Sequence, residues 1–272
     1  MGLPVSVLVR GDDADGPAAR QAVSALYAEL RAVDATFSTY REDSELSRWV
    51  RGEVARPSTD LQEVRGLCEL AAAQTAGAFD ACRPDGSWDP SGLVKGWAVE
   101  RAARHVAALD GLDWCVNAGG DVLLQCLPGA SFRIGIEDPR DAARVAVVVE
   151  RSEGAVATSG TAARGRHLYD PRTGEFPEAL GSVTVVGPSL HVADVLATAA
   201  YVDGGLALVE QAYGYEGLVI TRDGTLQWTP GWRAAGTRTD WPPTADAVRA
   251  AAARARARAP ATARRSRAAT RA

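Results

Sequence analysis

The sequence predicts an α+β fold in which helices pack against a largely antiparallel sheet. Three observations carry that prediction. Apolar residues recur at helical spacing in separate segments near the start of the chain and again over residues 191–204. Short strand-like runs crowd the stretch between residues 113 and 150. Finally, Asp223-Gly224, a favourable pair for a tight reversal, divides "GLVITRDGTLQW" into the two arms of a hairpin.

The elements follow in order from the same signals. "VSVLV" (5–9) alternates like a strand, and Ala22, Val23, Leu26, Leu30 and Val33 mark a helix from about Ala18 to Val33. A loop rich in hydroxyls and charge, "DATFSTYREDSEL", separates it from a helix over Leu61 to Ala76, ended by Gly77. "DPSGLVKGWAVERAARHVAALDG" reads as a Gly-containing turn entering a helix that stops at Gly111. "WCVNAGGDVLLQC", "FRIGIEDP", "RVAVVVE" and "SVTVVGPS" are strand-like, the last leading into the helix at 191–204, and residues 206–213 predict a further helix. No internal repeat and no linker interrupts this pattern, so residues 1–245 are expected to form one globular unit.

Composition narrows the classes of function. An apolar share of 46% is ordinary for a globular protein, and no run of 18 apolar residues is present to span a membrane. The start, "MGLPVSVLVRGDD", lacks a basic region followed by a long apolar stretch, so a cytoplasmic location is expected. Cys68, Cys82, Cys115 and Cys126 form no CxxC pair, which disfavours zinc and suits reduced thiols. The net charge of −4 hides an asymmetry: residues 246–272 hold eight Arg and one Asp, leaving 22 basic against 33 acidic residues elsewhere. This Ala/Arg-rich tail reads as disordered or as a frayed helix, and no nucleic-acid partner is assigned to it.

The chemistry-bearing residues are individually ambiguous. Asp194 and Thr198 stand one turn apart on one helix face. A helix cap and a back-bonded hydroxyl would explain them, and so would a hard cation such as Mg²⁺, which prefers oxygen ligands. "SGLVKG" (91–96) and "AGGD" (118–121) match neither a P-loop nor a dinucleotide fingerprint, although glycines, Lys95 and a following helix start would suit a phosphate. Turn formation accounts for Asn117 and Asp121. "ATSGTAARGRHLYDPRTG" surrounds His167 with hydroxyls and Arg, an environment for a general base. A Ser-His-Asp hydrolase built on Ser159, His167 and Asp170 lacks the GxSxG elbow.

In sequence order, "FSTYREDSEL", "GAFD", "DPSGLVKGWAVE", "VNAGGDV", "ATSG", "RHLYDPRTG" and "ADVLATA" resemble the ApbE family, whose members are Mg²⁺-dependent FAD:protein FMN transferases. The resemblance runs from about residue 30 to 205, and more weakly to the hairpin near 228. It implies a single ApbE-like, or T-fold-like, domain. The reaction it implies splits FAD at its pyrophosphate, passes FMN to a Thr hydroxyl of an acceptor protein and releases AMP. Asp194, Thr198 and the carbonyl of Gly92 match the family's metal ligands. Tyr40, Ala78, Phe79, Asp80, Asp89 and Lys95 match its FAD contacts, Thr158 and Ser159 would line the phosphate end, and His167 would deprotonate the acceptor Thr. "DPSG" departs from the family's usual Asp-Leu-Gly-Gly through Pro90 and Ser91, and the first strand is reduced to "VSVLV". Hydrolysis of FAD to FMN and AMP is an alternative at the same site. A flavin-binding protein without turnover is another, against which His167, Asp194 and Thr198 argue.

Overall fold

A computed structural model describes residues 2–160 and 168–233, with residues 237–238 described by their backbone. His167 and the tail at 246–272 lie outside the described residues. The chain opens with β1 (Val5–Arg10), followed by α1 (Pro17–Phe37), α2 (Glu45–Val50), α3 (Thr59–Gln74) and α4 (Ser91–Ala107). Then come β2 (Asp113–Ala118), β3 (Asp121–Gln125), β4 (Phe132–Asp138), β5 (Asp141–Arg151), β6 (Glu153–Gly160) and β7 (Leu180–Gly187). The last elements are α5 (Leu190–Asp203), α6 (Ala207–Gln211), β8 (Glu216–Thr221), β9 (Leu226–Trp228) and β10 (Thr237–Arg238).

Two antiparallel sheets result, one of seven strands in the order β1-β2-β3-β6-β7-β8-β9 and one of three in the order β10-β5-β4. The large sheet is the middle layer. Leu123, Ala155, Ala157, Val183, Val185 and Val219 face a core shared with α1, α3, α4 and α5. Their neighbours in the strands, Val122, Val156, Val186, Leu218 and Ile220, face Phe132, Ile136, Val147 and Val149 of the small sheet. This is the two-residue alternation of pleated strands. Strand β7 is buried at every residue because both faces are covered, which explains why "SVTVVG" is a continuous rather than an alternating run.

Several boundaries differ from the sequence expectation. Helix α1 runs four residues past Val33, because Phe37 continues its buried stripe and packs edge-on against Trp97 of α4 at 5.5 Å between ring centroids. Helix α3 begins earlier than Leu61, since the Ser58 hydroxyl accepts from the Leu61 N–H at 3.3 Å and starts the first turn. The loop at 34–46 ends in the short α2, which Ser44 caps and which runs on to Val50. Strand β6 was not signalled: "EGAVATSG" has only small apolar residues, yet it pairs with both β3 and β7. The glycines of "VNAGGDV" make the turn that the sequence suggested. Gly119 and Gly120, with φ of 63° and 102°, form the two-residue turn between β2 and β3, and the Asn117 side chain accepts from the Gly120 N–H at 3.0 Å.

Candidate functional site

Residues from α4, α5, β6 and the loops after α1 and α3 line a cavity of about 420 Å³. Eleven of the twelve residues singled out from the sequence line it: Tyr40, Ala78, Phe79, Asp80, Asp89, Gly92, Lys95, Thr158, Ser159, Asp194 and Thr198. The twelfth, His167, lies outside the described residues, although Leu168 and Tyr169, which follow it, are part of the lining. Such a volume is within the usual range for small-molecule sites.

Local structure explains how each segment reaches the cavity. Tyr40 lies beyond the end of α1, with its side chain 91% exposed at the rim. Ala78-Phe79-Asp80 follow α3 on a turn fastened by Thr75, whose hydroxyl accepts from the Phe79 N–H at 3.1 Å. Asp89 precedes α4, accepts from the Ser91 N–H at 3.0 Å and pairs with Arg83, a lining residue that sequence reasoning did not single out. Residues 91–96 are the first turns of α4 rather than a loop ahead of it, which corrects the phosphate-loop reading. Gly96 serves packing instead: a Cβ there would lie 2.5 Å from the His191 Cα, so only glycine lets α4 and α5 meet backbone to backbone.

Helix α5 settles the ambiguity of Asp194. The cap of this helix is Ser189, whose hydroxyl accepts from the Val192 N–H at 3.5 Å, and Asp194 stands well inside. The carboxylate, 3% exposed, faces the Lys95 ammonium at 3.2 Å from Oδ2. That ammonium also pairs with Asp121 Oδ2. Burial by itself would push the Lys95 pKa down; the charges of Asp194 and Asp121 and the hydrogen bonds to both outweigh it and hold the ammonium above the usual lysine value. One turn along α5, the Thr198 hydroxyl bonds Ser159 Oγ on β6 at 3.0 Å.

Asp121 is the second residue that the sequence did not reveal. Its spacing reads as a turn residue, yet it starts β3 at 1% exposure, pairs with Lys95 and accepts from the Thr158 N–H at 3.0 Å. The available signal was its position beside a Gly-Gly turn, which is equally what a surface turn shows.

Gly92, Asp194 and Thr198 all line the cavity, and the groups the sequence reading assigned to a metal there are all oxygens: a backbone carbonyl, a carboxylate and a hydroxyl. Among the described residues no group of three His, Cys, Asp or Glu side chains could hold an ion. A hard divalent cation, which takes one or two carboxylates and completes its shell with other oxygens, fits the donors present. The buried ammonium already seated against Asp194 shows that this spot stabilises positive charge.

The comparisons with known proteins agree with the fold. The ApbE family model matches residues 1–84 and 81–219, and the chain belongs to the ApbE family. A FAD:protein FMN transferase of Vibrio cholerae is 34% identical over 137 residues, covering 45% of this chain and 41% of the relative. One from Haemophilus influenzae is 30% identical over 129 residues, covering 43% and 37%. The aligned stretch thus spans about two fifths of the length of these curated relatives. Among solved structures, an ApbE protein from Thermotoga maritima superposes with a TM-score of 0.75 at 21% identity, covering 86% of this chain and 96% of its own. The flavin transferase ApbE from Vibrio cholerae gives 0.68 at 23% identity, covering 85% and 99%. These similarities establish the fold.

Proposed function

We propose that this chain is a FAD:protein FMN transferase, which cleaves FAD at the pyrophosphate, attaches FMN through its phosphate to a Thr hydroxyl of an acceptor protein and releases AMP. The observation that carries the reading is the convergence of eleven sequence-predicted residues, from five separate segments of the chain, on one cavity. Family membership supports it as well.

In this reading Tyr40 offers a ring for the isoalloxazine to stack on, and Ala78, Phe79 and Asp80 form the wall beside it. Thr158 and Ser159 take the phosphate end. Asp194, Thr198 and the Gly92 carbonyl would hold Mg²⁺, which when bound supplies charge neutralisation at the pyrophosphate. Lys95, itself held by Asp121, pairs with Asp194 and orients it, since a charge this deep is stable only when paired. His167 is assigned as the base that takes the proton from the acceptor Thr, without which a hydroxyl is a poor nucleophile. The Arg-rich tail receives no role.

The test is incubation of the purified protein with FAD and Mg²⁺, with and without a candidate acceptor, followed by assay of AMP and of flavin covalently bound to protein. Acceptor-bound FMN together with AMP is the expected result. AMP with free FMN alone, in the presence of an acceptor modified by a known family member, would replace the transferase by a FAD pyrophosphatase. FAD bound but intact would leave a flavin-binding protein.

A further inference from the structure

We propose that Glu100 is a positioning residue for the cation site: it clamps the first turn of α5 to α4 and so sets the spacing between Gly92 on one helix and Asp194 and Thr198 on the other. The inference rests on the assignment of those three groups to a divalent cation. Glu100 does not line the cavity and would act only through the helix it holds.

The contacts are concentrated on one carboxylate. Oε1 accepts from the Ser189 hydroxyl at 2.8 Å, from the His191 N–H at 3.2 Å and from the Leu190 N–H. Oε2 meets His191 Nδ1 at 2.7 Å. The first N–H groups of a helix have no partner within it, and the positive end of its dipole favours an anion there. Helix α5 is therefore capped in part from a neighbouring helix, and the cap doubles as a tie. Burial would raise the Glu100 pKa, but the bonds from His191 and Ser189 hold it below the usual carboxylate value, so the tie is charged at neutral pH.

The clamp lies beside the closest approach of the two helices. Gly96, one turn before Glu100, is where α4 meets the backbone of Leu190 and His191. Lys95 is its immediate neighbour, and Asp194 follows His191 by three residues, so both ends of the 3.2 Å Lys95–Asp194 contact hang from this one point. The rest of the α4–α5 contact lies in the apolar core that the two helices share. Apolar packing resists separation but is non-directional, so it does little to stop one helix sliding along the other. Four directional hydrogen bonds do stop it, and a small ion with a strict octahedral preference needs that precision.

The experiment is Mg²⁺ titration calorimetry on FAD-free full-length protein, comparing wild type with Glu100→Ala, Glu100→Gln and His191→Ala well below their melting temperatures. Glu100→Ala is expected to weaken Mg²⁺ binding by about tenfold or more, as loss of supporting contacts does at metal sites. Glu100→Gln keeps an acceptor oxygen for the α5 N–H groups and should recover most of the affinity. His191→Ala, which removes the Oε2 partner together with a ring contact to Ser189, should lose severalfold. A Glu100→Ala variant with wild-type Mg²⁺ affinity, however lowered its melting temperature, would make Glu100 a stabilising residue and overturn the proposal. Should that variant not fold, unchanged affinity in His191→Ala overturns it. If wild type itself bound no Mg²⁺ and Asp194→Ala behaved identically, the cation assignment would fail, and the clamp with it.

Discussion

Where α5 crosses the sheet, the packed side chains are small: Ala155 and Ala157 on β6 against Ala193, Ala197 and Ala200 on α5. On the opposite face of the same sheet they are large, with Leu124, Leu218 and Ile220 against Phe132, Ile136 and Trp232. Both faces are equally dry, but they differ in what they hold. Small residues bring backbones close, which lets the short side chains of Asp194 and Thr198 reach Lys95 and Ser159. Buried polar groups follow that closeness: Asp121, Ser159 and Asp194 gather at the helical face, each with a partner. The large-residue face fills volume between two sheets and supplies stability.

This contrast can be broken in graded ways. The largest effect is expected at the helical face, where Asp194→Ala should lower FMN transfer about a thousandfold, or ~4 kcal/mol of transition-state stabilisation, while leaving the fold intact by circular dichroism. Unchanged turnover would dissociate α5 from the chemistry. Lys95→Ala should rank next, because it leaves Asp121 and Asp194 buried without their cation; a loss of about 3–5 kcal/mol in urea unfolding is expected. Added Mg²⁺ should raise the melting temperature of that variant more than that of wild type.

On the opposite face, Leu218→Ala opens a cavity at a side chain of 0% exposure and should cost about 2–5 kcal/mol of stability. Turnover per folded molecule should stay at the wild-type level, and a proportional loss of activity would show that the two faces are coupled. The smallest effect concerns acid. Hydrogen bonding to Arg140 holds the Asp138 carboxyl down from 3.8 to about 2. A lowered carboxylate pKa stabilises the fold above the unfolded value, and that contribution disappears as pH falls through the folded one. The stability difference between wild type and Asp138→Asn should therefore be present above pH 4 and close towards pH 2. It should be small at every pH, because the Arg140 side chain is 46% exposed and solvent screens the pair.

The elements with strong period were legible. The stripe of α1, the apolar run of β7 and the Asp223-Gly224 hairpin each carry their own signal, because each is decided by local spacing or turn chemistry. Strand β6 carried little: its residues are small because α5 needs room, and small residues have weak preference for strand or helix. Asp121, Arg83 and Glu100 were invisible for a related reason. Each derives its role from a partner distant in sequence, Lys95 and the Thr158 N–H for the first, Asp89 for the second and the start of α5 for the third.

The sequence by itself determined the α+β class, the order of most elements and, through seven ordered motifs, the family and the residues that line its cavity. Those are properties of spacing along the chain and of residue type. Only the tertiary structure decided that Gly96 is a helix contact, that Asp194 answers Lys95 rather than capping a helix, and that one carboxylate on α4 ties down the start of α5. Such roles depend on which groups meet after the chain has closed. A buried charge or an open helix end takes whatever partner the packing brings to it, and nothing in the local sequence names that partner.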